Sequence, residues 1–116
     1  MRETETEIEL IQGTLNVVIL KTLSWGPQNG YAIAQWVRHT TRGELELDEG
    51  ALYPALHRME HRGWLAAEWG LSANNRRAKF YRLTPVGKKM LRERTAGWER
   101  LVRAVAAVMN AQVKPT

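Results

Sequence analysis

The sequence predicts a mainly α protein with a small β-hairpin, arranged as a winged helix-turn-helix that runs on into a long C-terminal helix. Three observations carry this expectation. Apolar residues recur at helical spacing in several separate stretches. Two aromatic-rich, strand-like runs, WLAAEW (64–69) and KFYRLT (79–84), flank a polar turn. The order is helix, helix, short strand, helix, strand, strand, long helix, and three helices followed by a two-stranded ribbon is the winged helix-turn-helix order.

Each element has its own signature. Ile8, Ile11, Leu15, Val18, Ile19 and Leu23 are spaced by three and four, which predicts an amphipathic helix over 8–24. GPQNG (26–30) breaks it, because Gly26, Pro27 and Gly30 all disfavour helix continuation. Tyr31, Ile33, Ala34 and Val37 continue a shorter helix to about Thr41. ELEL (44–47) alternates, and predicts at most a minimal strand. Asp48 stands as the N-cap of a third helix to about Arg62, its carboxylate placed to accept from first-turn amides. Gly63 is the stop. Thr84-Pro85 opens the last helix, with Thr as cap and Pro at the first helical position, and that helix runs to about Ala111.

At 116 residues the chain is read as one compact unit, with a winged helix-turn-helix part over 1–84 and a long C-terminal helix over 85–116. It contains no cysteine, which excludes disulfides and thiolate metal sites. No apolar run approaches the ~20 residues that span a bilayer. The acidic start MRETETEIEL is unlike a signal peptide, so a cytoplasmic protein with no membrane partner is expected. Charge is segregated. Residues 1–10 balance to −3, whereas residues 76–103 hold ten basic and two acidic residues, +8. Such asymmetry points to an anionic partner; a merely solvated basic helix face is the alternative for the charge taken alone.

The third helix, EGALYPALHRMEHR (49–62), puts Leu52, Ala55, Leu56 and Met59 on its core side. Its other side offers Gly50, Pro54, His57 and His61 flanked by Tyr53 and Arg58, groups that can contact phosphates or reach base edges in a major groove. Pro54 removes one backbone hydrogen bond if the helix begins before it. His57 and His61 do not make a zinc-protease helix, because Arg58 stands where a Glu is needed, and no third ligand cluster is nearby. No metal or cofactor is expected. Without a glycine-rich phosphate loop or a placed acid–base pair, neither is an enzyme. At the turn, Asn74 and Asn75 suit positive φ, while Arg76, Arg77 and Lys79 project from the descending limb toward phosphate or a narrow groove. Tyr81 and Leu83 alternate with Phe80 and Arg82, so one strand face packs inward and Arg82 points out.

In the last helix, Leu91, Trp98 and Val105 fall seven apart, joined by Leu101, Val102, Val108 and Met109. That stripe is too long for a small core to cover, and a partner helix from a second subunit is the natural cover. Trp98 would lie in the seam as a packing anchor, or as part of a slot for a flat aromatic ligand.

Three blocks, QGTLNVVILKTLSWGPQNGYAIAQ (12–35), EGALYPALHRMEHRGWL (49–65) and NNRRAKFYRLTPVGKKML (74–91), together resemble the PadR-like transcriptional regulators. The likeness covers roughly residues 10–110 and is closest to a short subgroup with one C-terminal helix, of the kind common in acidobacterial-type genomes. It implies a homodimeric winged-helix repressor, with the third helix in the major groove of double-stranded DNA and the wing beside it. Matched positions are Tyr53, Pro54, His57 and Arg58 on the helix, and Asn74, Asn75, Arg76, Arg77 and Lys79 on the wing; Tyr31, of the Gly-Tyr pair, joins the DNA-binding set. Trp98 occupies a place where drug-binding members put an aromatic residue, which implies a small aromatic effector. A two-fold dimer predicts an inverted-repeat operator with half-sites ~10 bp apart. The rival reading is a winged-helix module that binds protein, for which the +8 segment would serve no purpose.

Overall fold

The computed structural model describes the backbone from residue 2 to residue 116 and the side chains from residue 12 onward; the inward-facing Ile8 and Ile11 expected of the first helix lie outside the described side chains. Seven elements follow in order: α1 (Arg2–Leu23), β1 (Gln28–Asn29), α2 (Gly30–Thr40), α3 (Glu49–His61), β2 (Leu65–Leu71), β3 (Arg77–Leu83) and α4 (Pro85–Met109). The strands form one antiparallel sheet in the order β1-β3-β2. This is the winged-helix architecture with a long C-terminal helix.

The core forms where the apolar faces of α1, α2 and α3 meet the root of the hairpin. Leu15, Ile19, Leu20 and Leu23 of α1 pack with Ile33 and with Leu52, Ala55, Leu56 and Met59 of α3, all essentially buried. Trp64, Leu65 and Tyr81 close it from the sheet side, so neither Trp64 nor Tyr81 is a surface aromatic. The periodicity of α3 therefore placed its core face correctly.

Two details differ from expectation. Residues 44–47 form no strand: Thr41 instead folds the chain back, its Oγ1 receiving the Leu45 amide at 3.0 Å. The extra strand is β1, inside the GPQNG breaker, where Gln28 and Asn29 pair with Tyr81 and Phe80. A two-residue strand exists only through its partner, and alternation without a neighbouring edge makes none. Asp48 does occupy the N-cap position of α3, but its carboxylate makes no capping bond. Its backbone carbonyl accepts from Ala51 and Leu52 at 2.9 and 2.8 Å. The helix begins at Glu49, so Pro54 does interrupt the backbone ladder, opposite the exposed Gly50.

The junction between α3 and α4 is tight. Gly63, at φ 81°, closes α3, with the Trp64 amide on the Met59 carbonyl at 2.9 Å and the Gly63 amide on Glu60 at 3.0 Å. Thr84 caps α4 by accepting from the Gly87 amide at 3.0 Å. The same hydroxyl donates toward the carbonyls of Gly63 and Trp64, at 2.6 and 3.0 Å. Gly87 sits so close to the Trp64 carbonyl that any Cβ would overlap it. The guanidinium groups of Arg62 and Arg94 lie 5.4 and 5.2 Å from the centre of the Trp64 ring. The end of α3 and the start of α4 are thus joined without slack.

Candidate nucleic-acid interface

A groove of about 1150 Å³ runs between α3, the first turns of α2 and the inner face of the hairpin. The helix side supplies Tyr31, Gln35, Tyr53 and His57, and the hairpin side supplies Trp69, Asn74, Arg76, Arg77 and Lys79.

The hairpin side follows from strand alternation and register. Leu65, Ala67, Trp69 and Leu71 of β2 lie opposite Leu83, Tyr81, Lys79 and Arg77 of β3. These residues share one face that changes character along its length. At the root Leu65 and Tyr81 are each 2% exposed, whereas near the tip Trp69 is 57% exposed. One face thus serves as core below and as groove wall above. On the opposite face, Phe80 covers the strand glycine Gly70, whose missing Cβ would lie 3.3 Å from the ring, and Arg82 points to solvent as expected.

The cations of the wing are held differently. The Arg77 guanidinium lies 4.7 Å from the centre of the Trp69 ring, a distance at which the ring attracts the cation without taking up its hydrogen-bond donors. Lys79 Nζ is 3.2 Å from Glu60 Oε1 on α3 and 5.5 Å from the Tyr81 ring. The hydrogen bond that Lys79 donates to the Glu60 carboxylate holds the lysine pKa above its ordinary value, and burial pushes the Tyr81 hydroxyl up. Lys79 therefore also ties the wing to α3, beyond the purely outward role expected of it. Arg76 is exposed and has no carboxylate partner among the described residues. The turn that carries it is internally bonded: Ser72 accepts from Asn75 at 2.9 Å and donates to Arg76 at 2.8 Å through the backbone. Asn75 takes the left-handed conformation, φ 63°, as an asparagine at that bend should.

On the helix side, Asn29 caps α2 by accepting from the Ala32 amide at 2.7 Å. Tyr31 Oη accepts from Gln35 Nε2 at 2.8 Å, one turn along. Of the sequence-predicted residues, the groove gathers Tyr31, Tyr53, His57, Asn74, Arg76, Arg77 and Lys79. Pro54, Arg58 and Asn75 are exposed but lie outside its lining. Trp69, Gln35 and Glu60 were missed. Period-2 counting forward from Leu65 would have put Trp69 on the face that Leu65 shares with Tyr81; Glu60 has no such signal, because its partner is 19 residues away.

Along α4, Leu91 packs against the core, while Leu101, Val102, Val105, Val108 and Met109 are exposed. Trp98 lines a second, apolar cavity of about 210 Å³ with Val17, Val18, Trp36, Val37 and Leu45. Among the described residues no three His, Asp or Glu side chains gather as metal ligands, and no helix is long and apolar enough to cross a membrane.

Residues 19–93 match the transcriptional regulator PadR-like family. A PadR family transcriptional regulator from Eggerthella lenta is similar in structure, with a TM-score of 0.76 and 30% identity over 94% of this chain and 93% of that one. A transcriptional regulator from Clostridium thermocellum gives a TM-score of 0.74 and 30% identity over 91% and 99%. A transcriptional regulator of Mycobacterium tuberculosis is 37% identical over 65 residues, 56% of this chain and 60% of that protein.

Proposed function

Given that the chain belongs to the PadR-like family of transcriptional regulators, whose members are regulators and not enzymes, we propose that it binds double-stranded DNA sequence-specifically, as a homodimeric cytoplasmic repressor. The observation that carries this reading is the groove itself. It sets three wing cations opposite the tyrosines and histidine of two helices, so that phosphate contacts and base-edge contacts come from facing walls. Tyr53 and His57, one turn apart on α3, enter the major groove; Arg76 and Arg77 meet the phosphate backbone or the adjacent minor groove. In domain terms, residues 1–84 are the DNA-binding unit and residues 85–116 the dimerisation helix.

The partner for α4 is a second copy of the same chain. Val108 and Met109 are 74% and 76% exposed, and with Leu101, Val102 and Val105 they form an exposed apolar stripe on the distal half of the helix. A symmetric dimer makes the operator an inverted repeat with half-sites about one helical turn apart.

Titration of the chain onto the promoter upstream of its own gene, at several salt concentrations, tests the DNA reading. Retention should weaken with salt by roughly 0.9 log units per log unit of salt for each phosphate neutralised. Retention of no promoter fragment, or retention insensitive to salt, would sink it.

A second reading has its own observation. The apolar cavity bounded by Trp36 and Trp98 suits a planar aromatic effector that relieves repression. DNA release by such a compound should be lost in Trp98→Ala; equal release by both proteins would remove Trp98 from the site.

A further inference from the structure

Gly30 is buried, and its backbone gives it no reason to be glycine: it is the first residue of α2 and its φ is not positive. Helix propensity would favour alanine there. What the position lacks is room. A Cβ on Gly30 would lie 2.6 Å from Cε1, 2.7 Å from Oη and 2.8 Å from Cζ of Tyr53. The tyrosine ring of α3 therefore rests in the space that any side chain at residue 30 would occupy. Tyr53 is 38% exposed, and both it and Gly30 line the groove, with the hydroxyl end of the ring seated against the glycine.

We propose that Gly30 is a specificity-setting positioning residue: the seat that holds the Tyr53 ring in the orientation from which it meets the base edges. It touches no DNA itself. The proposal rests on the DNA-binding reading and adds to it a residue of α2 that governs which base pair α3 selects. The atoms in conflict are the far end of a side chain, not backbone. The inexpensive response to a Cβ is thus rotation of the tyrosine, with the core of α1, α2 and α3 left in place. Nearby contacts also survive, because the Asn29 cap and the Tyr31–Gln35 bond do not pass through the Gly30 Cα.

The test is a double-mutant cycle with two readouts. Gly30→Ala and Tyr53→Ala, singly and together, are each used to select binding sites from a randomised operator, and Tyr ring NMR signals are recorded for the free proteins. Gly30→Ala should lose roughly tenfold discrimination at the same half-site position as Tyr53→Ala. It should keep the native salt dependence and melting temperature, and it should add nothing in the Tyr53→Ala background. The Tyr53 ring signals should shift in Gly30→Ala. Equal effects of Gly30→Ala with and without the Tyr53 ring would overturn the proposal, as would an unchanged base preference. If the native chain retains no DNA, the functional reading falls. The seat is then decided by the ring signals alone: unmoved Tyr53 signals in Gly30→Ala would overturn it.

Discussion

α3 and α4 treat their apolar residues in opposite ways. α3 buries Leu52, Ala55, Leu56 and Met59 almost completely and shows solvent its rings and charges. α4 buries little beyond its first turns, and its distal half displays valines, a leucine and a methionine. Both are amphipathic, so amphipathicity alone says nothing about the partner. The difference lies in what the same chain supplies to cover each face: three elements surround α3, while the far half of α4 outruns the core. A face completed internally can spend its other side on recognition. A face left open is itself a recognition surface, and it selects apolar company.

That contrast can be broken most strongly on α4. Leu101→Glu with Val105→Glu should abolish self-association, since each buried apolar side chain is worth about 1.5–3 kcal/mol. Sedimentation equilibrium should show a folded monomer with unchanged helical content, and a persistent dimer would mean that α4 is not the interface. Next come the wing cations. Arg76→Ala and Arg77→Ala should each weaken binding to all DNA sequences alike and reduce the salt slope by about 0.9. A change in base preference without a change in slope would move them from positioning to readout. Smallest is Glu60→Gln. Lys79 and Glu60 are partly exposed, so the pair contributes about 0.2–1 kcal/mol, measurable by denaturant titration. Because the native Lys79 pKa is raised, that contribution is fully present below the unfolded lysine value, about 10.4, and fades as pH rises through the native value. The difference between the mutant and the native chain should therefore shrink as the solution is taken into strong alkali.

Much of this was legible in the residues. The third helix, its inner face, the Thr84-Pro85 start and the wing with its asparagine bend all follow from periodicity and local turn chemistry, which act over a few residues. What was not legible depends on partners far along the chain. β1 exists because β3 passes beside Gln28, not because of its own composition. Glu60 acquires its meaning only when the hairpin folds Lys79 against it. Trp36 and Trp98 share a cavity although 62 positions separate them in the sequence. Asp48 stands at the N-cap position as its residue type suggested, yet its carboxylate makes no bond to the first turn.

The junction at Trp64 has a mechanical consequence. Thr84 and Gly87 fasten α4 directly to the chain that ends α3, with no pliable linker between them. The two helices then behave as arms of one bent lever whose elbow is the Trp64 carbonyl. α3 is about 20 Å long at 1.5 Å per residue, so a tilt of about 5° passed through a stiff elbow swings its far end by roughly 2 Å. Movement on that scale is comparable to the length of a hydrogen bond, so a tilt at the elbow is enough to break a bond made at the far end of α3.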